Sequence, residues 1–158
     1  MEEKDTNQLL ADLIHKGGII KDAEGSSAKE VYANVCKMMN LPDSMNRENL
    51  YNALCAREDI LSTAVGNAIA LPHARAPIMK DDEEQRIVVV YLKEPIDMSA
   101  PDERKVSTMF ILLTSNSQTH LKVLSGLVEQ FRKPSFRKLL ENKATEVQLL
   151  NEIKELDK

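Results

Sequence analysis

An α/β fold built on one sheet is predicted by three observations. Apolar residues recur at helical spacing in the first third of the chain. The middle carries two apolar, β-prone runs, Ile87-Val88-Val89-Val90-Tyr91-Leu92 and Met109-Phe110-Ile111-Leu112-Leu113. Helical spacing returns from Leu121 onward. Helices on either side of a strand-rich centre suit one sheet with helices packed on both faces. With no repeat or linker, residues 1–158 are expected to form a single domain.

The elements follow in order. A first helix is expected over Thr6 to His15, with Leu9, Leu10, Leu13 and Ile14 on its apolar face and Gly17-Gly18 ending it. Ile19-Ile20 suits a short strand or a staple. Ser27 and Glu30 have capping-box spacing, opening a helix whose Val31, Val35 and Met38 share a face. Leu41-Pro42-Asp43 breaks the chain, and Asn46 can cap a third helix carrying Leu50 and Leu54 toward Arg57. Glu58 to Gly66 reads as a loop or irregular strand. Next come the strands within Arg86 to Leu92 and Ser107 to Thr114. Between them, Glu94 to Lys105 holds Pro95, Pro101 and four consecutive charges, which predicts a solvent-exposed connection. Leu121, Leu124, Val128 and Phe131 mark a long amphipathic helix. Pro134 suits the first turn of another helix. Thr145 and Gln148 form a second capping box for a closing helix through Leu149, Leu150 and Ile153.

Composition removes several functions. The net charge of −4 leaves no electrostatic footprint for nucleic acid. No apolar run is long enough to cross a membrane, and the acidic start Met1-Glu2-Glu3-Lys4-Asp5 has no signal-peptide pattern, so a cytoplasmic protein is expected. Cys36 and Cys55 fall in helical patterns and read as buried, reduced thiols. The three histidines are widely spaced and make no metal motif with cysteine, so neither a metal nor another cofactor is expected.

The chemistry is concentrated at Leu71-Pro72-His73. Proline fixes its own φ and turns its predecessor away from helix, so His73 leaves a strand end on a stiff backbone. Histidine changes protonation near neutral pH and serves as a nucleophile. On the residues alone, an idle loop histidine stands beside that reading. His120 opens the long helix after a polar stretch and shares a side with Leu124, Leu127 and Phe131, so it points inward. There the helix dipole disfavours a second proton on its ring. Arg57 near a helix end either complements the dipole or supports an anionic oxygen. Arg75 has the same two readings, while His15 reads as a helix-end partner.

Glu58, six intervening residues, then Val65-Gly66-Asn67-Ala68-Ile69-Ala70-Leu71-Pro72-His73-Ala74 closely resembles the active-site signature of enzyme IIA of the bacterial phosphotransferase system, mannitol/fructose/nitrogen (type 2) group. Thr119-His120-Leu121-Lys122-Val123-Leu124 resembles the family's second histidine opening a long helix, and Phe136-Arg137-Lys138-Leu139-Leu140 its closing segment. The resemblance covers roughly residues 5 to 155.

The resemblance implies a mannitol-type α/β fold, a single mixed sheet flanked by helices on both faces. It implies that His73 accepts a phosphoryl group from HPr or an HPr-like carrier, with His120 and Arg57 as supporting groups. The phosphoryl would pass to a IIB component in sugar transport or serve as a regulatory mark on partner proteins, as in nitrogen regulation. A shallow rim including Ile69, Leu71, Ala74 and Ala76 is one expectation for docking, with the sheet core an equal alternative for the first two. Where the family often has glycine, this chain has Ala64, Ala68 and Ala74; if those glycines shape the phosphate cradle, slower transfer or a different partner is expected. A metal or acid–base enzyme using His73 and His120 lacks the carboxylate motifs such sites need.

Overall fold

A computed structural model describes residues 2–155. Five strands form one mixed sheet in the order β1-β4-β5-β3-β2, with β1 Ile19–Ala23, β2 Ala64–Gly66, β3 Ile69–Ala70, β4 Arg86–Ile96 and β5 Val106–Leu113. The β1–β4 and β3–β5 pairs are parallel; β4–β5 and β2–β3 are antiparallel. Six helices surround it: α1 Glu2–Gly17, α2 Ala28–Met38, α3 Arg47–Ile60, α4 Ser117–Phe131, α5 Pro134–Glu141 and α6 Glu146–Lys154. Among the described residues, no helix is long and apolar enough to cross a membrane.

The two central strands show why both faces are covered. Val88, Val90, Met109 and Ile111 point into one core with Val31, Tyr32, Val35, Leu50 and Leu54 of α2 and α3. Ile87, Val89, Tyr91, Phe110 and Leu112 point the other way, into a core with Leu10, Ile14, Val123, Leu127, Phe131 and Phe136. Successive side chains of a strand alternate between faces, so an unbroken apolar run needs a cover on each side. Each such side chain contributes about 1.5–3 kcal/mol on full burial. The expected single sheet flanked on both faces is therefore the observed one.

Local signals set most helix starts. Asn46 caps α3 by accepting the Asn49 N–H at 2.9 Å, and Thr145 and Gln148 make the expected reciprocal box on α6. Ser27 caps α2, but the Glu30 carboxylate reaches back to Ser26, accepting its N–H at 2.9 Å and its hydroxyl at 2.8 Å, instead of closing the box on Ser27. Gly17 ends α1 against β4, where a Cβ would lie 1.9 Å from the Ile87 carbonyl oxygen. Only glycine lets helix and strand approach this closely.

Two further expectations need correction. Helix α3 runs through Glu58 to Ile60, so the loop is shorter than expected and Arg57 sits inside the last turn. Polar side chains that hydrogen-bond here obscured the continuing helix. The Glu94–Lys105 segment is not simply exposed. Strand β4 continues through Pro95 to Ile96, which pairs with Val106, and Ile96, Met98 and Ala100 are buried at strand spacing. Asp97 and Ser99 between them are exposed, on the opposite side of the same alternation. Of the two thiols, Cys36 is buried and pushed by burial to about 12, while Cys55 is half-buried; both are free.

Candidate active site

His73 is mounted by backbone pairing with β5. Strand β3 runs parallel to β5, and beyond it His73 itself bridges to Leu112, whose N–H donates to the Pro72 carbonyl at 2.9 Å. The imidazole Nδ1 lies 2.7 Å from the Leu71 carbonyl oxygen. A carbonyl only accepts, so Nδ1 carries the proton and Nε2 keeps a free lone pair.

A chain of hydrogen bonds stands behind this mount. The Leu71 N–H donates to the Thr63 carbonyl at 2.9 Å. Thr63 in turn donates its N–H and its hydroxyl to Glu58, both at 2.8 Å. Tyr32, wholly buried, donates its hydroxyl to the same carboxylate at 2.6 Å. Burial, then Glu58, pushes the Tyr32 hydroxyl far up and keeps it a donor.

His120 reaches His73 from α4. Asn116 caps that helix by accepting the Thr119 N–H at 2.7 Å. Asp82 and Gln85 hold the turn before it: Asp82 accepts from the Ser115 hydroxyl at 2.5 Å and from the Asn116 amide at 3.0 Å, and Gln85 accepts the Ser115 N–H at 2.9 Å. The His73 and His120 ring centroids are 4.9 Å apart, with the planes tilted by 56°. A cleft of about 60 Å³ opens between them, walled also by Ala74, Thr114 and Ser117. Sites that enclose a small molecule run to about 300 Å³ or more. This cleft suits a group handed over at a surface.

Both rings are held neutral. Burial lowers the pKa of His73 most; the Leu71 carbonyl opposes this, Arg57 lowers it further and Glu58 raises it. Burial also lowers that of His120, and the neighbouring His73 adds to the effect. Arg57 is not in the cleft wall. Its Nη1 donates to the Leu61 carbonyl at 2.6 Å, closing α3, and its charge reaches His73 from there. Arg75 is exposed and borders the cleft. His15, expected as a helix-end partner, also lies 2.7 Å from Glu146 on α6, away from this site.

Ile69 and Leu71 are buried in the sheet, which settles their two readings for the core; Ala74 and Ala76 border the cleft. Of the three alanines, only Ala68 has a positive φ, 66°, in the β2–β3 turn beside Asn67 at 54°. Asp102 of the charged loop clamps that turn, accepting the Asn67 N–H at 2.8 Å. The resemblance picks out Ser62-Thr63 beside Arg57-Glu58, and Thr63 is the residue Glu58 holds; residue patterns did not single out Tyr32, Thr114, Asp82 or Gln85. Tyr32 sits one position from Val31 on an amphipathic helix and looks like core alone; the others act through contacts between segments distant in sequence.

Comparison with known proteins agrees with this fold. Residues 12–156 match the family described as phosphoenolpyruvate-dependent sugar phosphotransferase system, EIIA 2. A nitrogen regulatory protein of Pseudomonas aeruginosa is 27% identical over 140 residues, covering 86% of this chain and 88% of its own. A fructose-specific EIIA component of Haloferax volcanii is 30% identical over 117 residues, covering 70% and 73%. The crystal structure of nitrogen regulatory protein IIA-Ntr from Neisseria meningitidis superposes with a TM-score of 0.78 at 28% identity, covering 92% of this chain and 99% of that one. The chain belongs to the EIIA type 2 family of the phosphoenolpyruvate-dependent sugar phosphotransferase system.

Proposed function

We propose that this protein is a histidine phosphocarrier that accepts a phosphoryl group on His73 Nε2. The observation that carries the reading is the pair of neutral imidazoles facing one small cleft, with His73 Nδ1 already committed to the Leu71 carbonyl. The Nε2 lone pair attacks phosphorus in line. The new N–P bond forms as the donor's N–P bond breaks, and the donor imidazole leaves with the electron pair. No proton has to move, because the Leu71 carbonyl holds the Nδ1 proton and stabilises the positive charge the ring gains. Phosphoryl transfer depends mainly on positioning and on stabilising the equatorial oxygens. His120 serves as a donor to one of those oxygens, and Arg57 adds positive potential from the end of α3 without touching the group.

The donor in this reading is phosphorylated HPr or an HPr-like protein, and the receiver is a IIB component or a regulatory target. A regulatory use, in which phosphorylation of His73 controls partner proteins, is favoured by the similarity to nitrogen regulatory proteins along most of both chains. A transport use is supported by the fructose-specific relative. Incubation with phosphorylated HPr candidates should place acid-labile phosphate on wild-type protein and none on His73→Ala. Equal labelling of the two would overturn the assignment. Onward transfer to a IIB candidate identifies the transport use, and labelling without onward transfer the regulatory one.

A further inference from the structure

We infer that Thr114 is a positioning residue for His120: its hydroxyl donates to Nδ1 and so makes the Nε2–H of His120 the group presented to the cleft. This rests on the phosphocarrier reading only for its consequence, not for the tautomer itself. Thr114 lies at the end of β5, 3% exposed, where β5 hands over to α4. Its Oγ1 is 3.3 Å from His120 Nδ1. Its own carbonyl accepts two N–H groups of the segment that follows His73, from Ile78 at 2.9 Å and Met79 at 3.0 Å. One residue therefore ties together the chain leaving the first histidine and the ring of the second.

The tautomer follows from counting donors. Were Nδ1 protonated, the Thr114 oxygen would accept from it, and the hydroxyl proton would need another acceptor. Among the described residues, His120 is the one hydrogen-bond partner of that hydroxyl. A buried hydroxyl without an acceptor is costly. With Thr114 donating, the bond is satisfied and Nδ1 is an acceptor, so the neutral ring carries its proton on Nε2. The two histidines are then complementary. His73 presents a bare Nε2, locked by the Leu71 carbonyl, and His120 presents Nε2–H, locked by the Thr114 hydroxyl. Before transfer the second ring can donate toward the first; after transfer the same N–H serves a phosphoryl oxygen.

The test is ¹⁵N NMR of the His120 ring at neutral pH in wild type, Thr114→Val and Thr114→Ser, with phosphoryl uptake measured on the same samples. Wild type should show an Nε2–H tautomer with Nδ1 accepting a hydrogen bond. Thr114→Val should move the Nδ1 resonance to that of an unbonded acceptor or a tautomer mixture, and Thr114→Ser should restore it. Uptake on His73 should slow about three- to tenfold in Thr114→Val, the worth of one hydrogen bond, and recover to within about twofold in Thr114→Ser. If the valine variant does not fold, Thr114→Ala removes the same hydroxyl. A protonated Nδ1 in wild type, or ring signals unchanged without the hydroxyl, overturns the inference. Failure of wild type to take up phosphate overturns the carrier reading alone, since the ring signals still decide the role of Thr114.

Discussion

Glu58 holds Thr63 by two donors at once, accepting its backbone N–H and its hydroxyl, each at 2.8 Å, on the two oxygens of one carboxylate. The Thr63 carbonyl then accepts the Leu71 N–H, and the Leu71 carbonyl fixes the His73 ring. A helix end on one side of the protein thus sets the orientation of an imidazole at a strand end. The Tyr32 hydroxyl is the buried anchor of the same carboxylate. Hydrogen bonds to a charged partner contribute more than neutral ones, so Tyr32→Phe should cost about 2 kcal/mol in urea denaturation. Glu58→Ala should cost more, about 3 kcal/mol, because it also strands the buried hydroxyl. Phosphoryl uptake should slow in the same order. An unchanged urea midpoint in Tyr32→Phe would show that the hydroxyl anchors nothing.

Acid should weaken both the fold and the transfer. His73 and His120 have native pKa values below their ordinary 6.5, chiefly from burial. As pH falls through that ordinary value, the unfolded chain takes up protons before the native one does. Their contribution to stability is therefore complete above about 6.5 and is lost as pH drops toward the native values. In the proposed reading the nucleophile is the neutral ring, so uptake should be flat near pH 7 and above and decline on the acid side. NMR titration of the two rings provides the check: midpoints at or above 6.5 would contradict the half-buried, neutral pair.

Arg57 and Glu58 are neighbours in sequence and act on His73 with opposite sign. Arg57 lowers the pKa of the ring and Glu58 raises it. Arg57→Ala should move the His73 titration midpoint upward, and Glu58→Gln should move it downward. Both should slow transfer, the first by removing positive potential near the phosphoryl oxygens and the second by loosening the Thr63 mount. Shifts of the same sign in the two variants would mean that rearrangement, and not charge, governs the ring.

Local chemistry explains which features were legible in the sequence. The Pro72-His73 exit from a strand, the Asn46 cap and the Thr145–Gln148 box depend on neighbouring residues, and each stands where its pattern put it. The apolar runs of β4 and β5 announced a sheet covered on both faces because each residue type there needs burial on its own side. Strand order has no such local signature. Nor does the role of Thr114 or Gln85, which depends on α4 and the short 82–84 turn meeting across the sheet end. Ile96, Met98 and Ala100 did carry a period of two, but Pro95, Pro101 and the charges beside them concealed it.

Ala68 is a strained residue in the turn between β2 and β3, and relieving it should stabilise the protein without changing transfer. Its φ of 66° places a Cβ in the left-handed region, which costs about 1–2 kcal/mol relative to the usual backbone. The turn is kept there by the Asp102 clamp on Asn67 and by two N–H groups, of Ser107 and Thr108, that donate to the Ala68 carbonyl. Glycine removes the strain but gives the unfolded chain more freedom, so Ala68→Gly should gain about 0.5–1 kcal/mol. Ala64→Gly should do the reverse, because Ala64 is buried in extended backbone of β2, where glycine costs about 1 kcal/mol. The strained turn and His73 lie at opposite ends of β3. Uptake by Ala68→Gly should therefore stay within about twofold of wild type, less than the tenfold that 1.4 kcal/mol in a barrier produces. A large acceleration would instead mean that alanine at this turn, far from the ring, restrains the chemistry through β3.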